Sequence, residues 1–452
     1  PVVNSNVVFV GNPTLKPQYT GRTINRDIFG DSFTDFVTTT DREPMVYVNS
    51  NNGRLYGFNA QTGAPTVTYL PNAVLTDRFT QRNNAGAQTF LDGEIFVGDA
   101  FLKERNKWAS ILIGSMRYGG QGFYALDITA PNQFNASKVL WEFTDQDDAD
   151  MGFSYAKPAI GYMGGRWVAV LANGYNNTSI SDARPSTTGV GALFIVDLET
   201  GQLLKKFTSK ARQNSDPSNQ ARPNGFAEPS IIDNDQDGTI DSIYVGDFYG
   251  NLYAFDVSGD DPDTWTSFFG AANNADPMVP GKVVNNLPII IRPLVTFEPV
   301  SNRLLIMYGS GENITDAVYG DNHRLIGVYH QDSPVSGSVD LDQRTLVNAT
   351  GNRWQIQAPA TDQTPSPNGW MLDLSGSAAG FRSILKPRLH FGELIWVLNQ
   401  PQGLAATSCS NATESSLLLA FDPFTGTSLP YSVFADEAEA AKVDGLSMTD
   451  QV

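Results

Sequence analysis

The chain reads as all-β, a single quinoprotein-like β-propeller of seven modified blades spanning residues 1–452. Three features carry that expectation. Short apolar runs come in pairs joined by tight-turn residues. The residues that end the second run of each pair recur at blade-like intervals. The 41 glycines and 26 prolines are spread along the whole length instead of pooling in a linker.

The first pair is 45–48 (MVYV) and 55–59 (LYGFN), joined through Asn51-Asn52-Gly53 and followed by Gln61-Thr62-Gly63. The second is 109–114 (ASILIG) and 123–127 (FYALD), with Gly119-Gly120 between them. In the third, 167–171 (WVAVL) precedes 193–197 (LFIVD), which closes on Thr200-Gly201. The fourth joins 242–246 (SIYVG) to 252–256 (LYAFD) through Tyr249-Gly250-Asn251. Weaker copies are 304–308 with 325–329 and 394–398 with 418–422. Glycine and asparagine in these turns supply positive φ at little steric cost. An Asp or Asn at the strand end can accept from the N–H groups of the next turn, which a Thr-Gly then closes. The strand-end residues Asn59, Asp127, Asp197, Asp256, Tyr329 and Asp422 stand 68, 70, 59, 73 and 93 residues apart. A repeat of roughly 65 residues divides the chain into seven blades, with a further unit expected near Trp370 in the widest interval.

Composition excludes several function classes. Thirty Lys and Arg against 48 Asp and Glu leave a net charge of −18, which opposes a nucleic-acid partner or an anionic membrane surface. No apolar stretch is long enough for a transmembrane helix. The first residue, Pro1, and the last five, 448–452, read as the ends of a mature or excised fragment. The lone Cys409 excludes an internal disulfide framework and is expected to be a buried thiol or to pair outside the fragment. His323, His330 and His390 lack metal-ligand spacing and read as ordinary structural side chains, and no nucleophile–His–acid set can be assembled from them.

One segment carries sharper chemistry. Residues 233–241 read DNDQDGTID, placing Asp233, Asp235 and Asp237 at loop positions 1, 3 and 5, Gly238 at 6, Thr239 at 7 and Asp241 at 9. Ca²⁺ takes six to eight oxygen ligands in flexible geometry, and alternating carboxylates on a tight coil with a glycine at the sharp turn supply that set. Thr239 would contribute its backbone carbonyl, and Asp241 a carboxylate or a water-mediated contact. An EF-hand loop ends in a bidentate Glu at position 12 on an exiting helix. Here that position is Tyr244, in the apolar run 243–245, so the loop is EF-hand-like but set between strands. Without a cation, four carboxylates in nine residues would repel one another. Mg²⁺, with its strict octahedral demand, fits less well.

The other acidic clusters carry less. Residues 145–150 (DQDDAD) lack the turn glycine and read as a solvated loop. Asp27, Asp31 and Asp35 recur every four residues without forming a second ion site. The sequons at Asn313, Asn348 and Asn411 are expected by chance in an Asn-rich chain, and no Arg-Gly-Asp tripeptide occurs.

The order of these features resembles a known family. The segments 48–58 (VNSNNGRLYGF), 122–127 (GFYALD), 139–143 (VLWEF), 152–158 (GFSYAKP), 173–176 (NGYN) and 369–374 (GWMLDL) surround the run 233–256, in which the acidic loop leads straight into YVGDFYGNLYAFD. Together they resemble the C-terminal domain of the PilC/PilY family of type IV pilus tip-associated proteins. The resemblance implies a modified seven-bladed propeller, export to the Gram-negative cell surface and a place at the pilus tip or outer membrane. It also implies a non-enzymatic role in pilus extension against retraction, twitching motility and host-cell adhesion. Pilin or minor pilins and a host surface would be the partners. Calcium at Asp233, Asp235, Asp237, Thr239 (carbonyl) and Asp241 would be the regulator.

Two other readings stand beside it. In one, calcium only staples a loop of a binding propeller. In the other, the repeats 194–201 and 421–426 belong to a quinoprotein-like dehydrogenase. That enzyme class carries adjacent cysteines against its cofactor and a regular blade tryptophan, whereas Cys409 stands alone and the seven tryptophans do not recur at one blade position in the sequence.

Overall fold

The computed structural model describes the chain except residues 1, 3, 16–23, 76–88, 179–183, 314–321, 359–365, 401–414, 432, 435–442 and 450–452, and no side chains of 24–30, 350, 448 and 449. Cys409, the sequon at 411–413, residues 314–315 of the first sequon and the Asp27 side chain therefore lie outside the described residues. Two compact units are found, 1–244 with 254–276, and 245–253 with 277–452.

In the first unit the paired runs become antiparallel four-stranded sheets. The first sheet comprises Val8–Val10, Met45–Ser50, Arg54–Asn59 and Pro65–Tyr69; the second, Ile95–Leu102, Lys107–Ser115, Gly122–Asp127 and Val139–Thr144. The third is Ala159–Met163, Arg166–Ala172, Ala192–Asp197 and Leu203–Thr208. A fourth sheet contains Ser230–Ile232, Ser242–Gly246, Leu252–Asp256 and Thr266–Ser267. The central strands Lys107–Ser115, Arg166–Ala172 and Ala192–Asp197 are buried almost throughout, which explains their near-continuous apolar runs. Trp108, Trp141, Trp167, Phe143 and Phe194 form one core between them.

In the second unit one ten-stranded sheet begins with Leu294–Phe297, Leu304–Gly309 and Arg324–Tyr329 and ends with Ser415–Phe421, Glu393–Gln400 and Arg388–His390. The strand at Trp370, Gly369–Asp373, pairs antiparallel with Arg324–Tyr329 and so completes that group. The wide interval is filled by the hairpin Asp342–Thr350 and Arg353–Gln357, whose first strand lies parallel to Gly369–Asp373.

The strand-end turns form as their composition implies. The Asn59 side-chain oxygen accepts from Gln61 and Thr62 N–H at 2.9 and 3.0 Å. Asp197 accepts from Glu199 and Thr200 at 3.0 and 2.9 Å, and Asp422 from Phe424 and Thr425 at 2.8 and 2.9 Å. Gly63, Gly201 and Gly426 close these turns in the left-handed region, with φ of 72°, 74° and 64°.

Two tryptophans do recur, contrary to expectation. Trp141 Nε1 donates to the Leu198 carbonyl at 3.0 Å, and Trp370 Nε1 donates to the Pro423 carbonyl at 2.7 Å. A Cβ on Gly201 or Gly426 would come within 2.6 Å of the indole that packs there. The sequence hides this equivalence because each tryptophan docks on a strand-end turn more than 50 residues onward.

One helix, Ile24–Thr39, was not anticipated. Phe33 is fully buried against Trp108, with ring centroids 4.7 Å apart, while Asp31 and Asp35 are exposed. The four-residue recurrence of Asp27, Asp31 and Asp35 is thus helical spacing. Among the described residues no helix is long and apolar enough to cross a membrane.

Candidate metal centre

The loop 233–241 joins two paired strands of the fourth sheet, with Ile232 opposite Ser242 at its neck. Backbone bonds fasten the exit: Asp241 N–H donates to the Ile232 carbonyl at 2.9 Å, and Val257 N–H donates to the Asp241 carbonyl at 2.8 Å. Ile240 reaches the third sheet, donating its N–H to the Tyr162 carbonyl at 2.8 Å, and its side chain crowds Gly161. This anchor escaped the sequence reading. An apolar residue between Thr239 and Asp241 in an otherwise polar loop was the available signal.

Within the loop, carboxylates bind backbone N–H groups of the same turn. Asp233 accepts from Asp237 at 3.1 Å and Gly238 at 2.7 Å, Asp235 from Asp237 at 3.1 Å, and Asp237 from Thr239 at 2.6 Å. Gln236 and Gly238 take positive φ, 63° and 95°, which makes the coil tight. The result is that Asp233, Asp235 and Asp237 offer oxygens all within 4.8 Å of one another. Asp235 is exposed and the other two are half-buried. Asp241 stands outside that trio, its carboxylate accepting from Asn234 N–H at 2.6 Å. Tyr244, at the position of the EF-hand Glu, is fully buried in its strand.

Electrostatics point the same way. Burial pushes the Asp233 carboxyl above the usual carboxylate range, the Asp237 charge adds to this, and the Gly238 N–H opposes it. Asp241 is raised by burial and by the charges of Asp235, Asp233 and Asp237, against the Asn234 N–H. The ionised loop is therefore under strain that a divalent cation would relieve. Carboxylate oxygens keep further lone pairs beyond one N–H contact, so the donor set fits a hard cation.

The acidic run 145–150 is not merely solvated. Lys206, from the neighbouring strand Leu203–Thr208, binds Asp148 at 2.7 Å and Asp150 at 2.8 Å. Burial opposes the Lys206 charge, but the two carboxylates outweigh it and raise its pKa. His323 is buried with Nδ1 3.3 Å from the Ser310 hydroxyl, as expected of a structural histidine.

Stacked antiparallel sheets, one of them carrying a nine-residue acidic loop pinned to its neighbour, define the class: a β-propeller with a candidate cation loop. Residues 1–353 match the family model described as the PilY1 beta-propeller domain, and the chain belongs to that family. It is 29% identical over 410 residues to a type IV pilus biogenesis factor PilY1 homolog of Xylella fastidiosa, covering 85% of this chain and 26% of the relative. It is 32% identical over 324 residues to the type IV pilus biogenesis factor PilY1 of Pseudomonas aeruginosa, covering 66% and 26%. The crystal structure of the Pseudomonas aeruginosa PilY1 C-terminal domain matches with a TM-score of 0.72 at 25% identity, over 97% of this chain and 93% of that one. The all-β propeller fold and the pilus-related family expected from the sequence are both borne out. The chain spans about a quarter of the length of these two relatives.

Proposed function

We propose that this chain is the calcium-responsive, non-enzymatic propeller of a type IV pilus biogenesis factor, displayed on the cell surface at the pilus. The observation that carries the calcium reading is the convergence of Asp233, Asp235 and Asp237 within 4.8 Å. Those three, with Asp241 and the Thr239 carbonyl, would hold the ion, which supplies charge neutralisation when bound. The protein's own part is to order the coil. Backbone N–H groups orient the carboxylates, and the Ile240–Tyr162 bond fixes the exit against the third sheet. An ordered loop would form part of a surface recognised by pilin or minor pilins, favouring pilus extension over retraction and supporting twitching motility and adhesion to host cells. The pilus assignment follows from the family and its named relatives.

The test is surface piliation and twitching in cells whose full-length protein carries Asp235→Asn or Asp237→Ala. Reduced extension with normal folding and export is expected; wild-type piliation from both variants would refute the switch. The backbone anchoring of the loop at Ile232, Tyr162 and Val257 favours a second reading, in which calcium only staples the fourth sheet. That reading predicts lower thermal stability in the variants with piliation unchanged.

A further inference from the structure

Resting on the calcium reading, we propose that the Thr239–Ile240 peptide group relays occupancy of the acidic loop to the third sheet. The exposed Gly164-Gly165-Arg166 turn of that sheet is the responding surface. A peptide group is planar, and in its trans form the C=O and N–H point in opposite directions. No described peptide bond is cis. Ile240 N–H donates to the Tyr162 carbonyl of the third sheet at 2.8 Å, so the Thr239 carbonyl of the same plane faces away from that sheet. No described residue donates a hydrogen bond to that carbonyl, which leaves its oxygen open to a cation. One rigid group thus carries a candidate ligand oxygen at one end and a bond to the third sheet at the other. Neither end turns without the other. An oxygen held by a cation also polarises the N–H of its own peptide, which strengthens the bond to Tyr162.

Side-chain packing makes the same link. A Cβ on Gly161 would stand 2.9 Å from Ile240 Cγ1 and 3.1 Å from Ile231 Cδ1. Gly161 and Tyr162 belong to Ala159–Met163, which pairs with Arg166–Ala172 across Gly164 and Gly165, at φ of 55° and 70°. A second contact reaches this turn from the loop's exit. The Asp241 carbonyl accepts from Val257 N–H at 2.8 Å, and the segment beyond brings the Asp260 carbonyl and the Trp265 ring to Gly164. A Cβ there would lie 2.9 Å from each. The turn is therefore held by two contacts that both depend on how the loop leaves Thr239. Gly165 and Arg166 are exposed, so a change in the order of the turn alters surface open to a partner. In the ion-free loop the carboxylates repel one another and that hold loosens.

The test begins with amide hydrogen exchange of the full chain, metal-stripped and in millimolar calcium. Exchange in residues 159–168 should slow about tenfold in calcium, with the second-sheet strand Lys107–Ser115 unchanged. Asp237→Ala should abolish the slowing. Coupling is reciprocal, so a change at Gly161, which carries no ligand, must alter calcium affinity. By calorimetry Gly161→Ala should weaken calcium binding about tenfold, by pushing Ile240 and its peptide aside. Adding Ile240→Ala, which deletes the crowded Cγ1, should restore most of that loss. A general destabilisation of the third sheet would deepen with a second truncation, so the pair of variants separates the relay from misfolding. The proposal is overturned if calcium binds the parent but leaves exchange in 159–168 unchanged. It is also overturned if Gly161→Ala binds calcium as tightly as the parent, or if the double variant binds no better than Gly161→Ala. A parent that binds no calcium overturns the calcium reading itself, and the relay with it.

Discussion

Asp235→Asn should stabilise the protein in chelator and destabilise it in excess calcium. The substitution removes one negative charge from the trio but keeps a side-chain oxygen that can accept from Asp237 N–H, as Asp235 does at 3.1 Å. Asp233 and Asp237 both lie within 4.8 Å of the Asp235 carboxylate. At that separation two unit charges repel by about 1 kcal/mol in a water-like dielectric, the appropriate limit for an exposed side chain. Two such pairs give roughly 2 kcal/mol of relief in the ion-free protein, less in salt. In calcium the same change removes a charged ligand and should weaken binding by about 10- to 100-fold. The stabilisation linked to binding then falls by about 1.4 kcal/mol for each tenfold loss. Thermal unfolding by circular dichroism in chelator and in millimolar calcium reads both effects. A shift of the same sign in both conditions, or none in either, would refute the reasoning.

Three further outcomes follow from the same structure. Burial and the nearby Arg382 charge push His323 down to about 4 from 6.5, so as pH falls the unfolded chain takes up its proton first. Stability present above pH 6.5 should therefore be lost as pH drops toward 4, by up to about 3 kcal/mol, and His323→Gln should remove that difference in denaturant titrations across the window. Gly201→Ala and Gly426→Ala should each destabilise more than Gly63→Ala in the same assay. All three sit at positive φ, but an added Cβ at Gly63 meets nothing within 4 Å, whereas the other two strike Trp141 and Trp370. About 1 kcal/mol is expected at Gly63 and roughly 2–4 kcal/mol at the others. Lys206→Met should cost about 1–3 kcal/mol by leaving Asp148 and Asp150 without their shared cation, visible as a lowered denaturation midpoint that high salt partly restores.

Local chemistry was the most legible part of the sequence. Strand-end Asn59, Asp197 and Asp422 declare their turns because each side chain bonds two or three residues onward. The acidic loop is legible for the same reason: the ligand spacing and the turn glycine are adjacent in the chain. What stayed hidden was long-range. Trp141 and Trp370 reveal equivalent positions only through turns 57 and 53 residues onward, and Lys206 meets Asp148 and Asp150 across 58 and 56 residues. Ile24–Thr39 was missed because its buried face is carried by few aromatics, chiefly Phe33 and Phe36 against Trp108, in a polar segment. The pairing of Gly369–Asp373 with Arg324–Tyr329 depends on the intervening hairpin looping out, which interval arithmetic cannot reveal.

The central claim is that residues 233–241 form one discrete calcium site. Calorimetric Ca²⁺ titration of the metal-stripped chain, beside Asp235→Ala and Asp237→Ala, tests it most directly. A single saturable site in the parent is expected, abolished or much weakened in both variants while circular dichroism shows the β-sheets intact. Absence of saturable binding in the parent, or equal binding in the variants, would contradict the claim and remove the calcium switch with it.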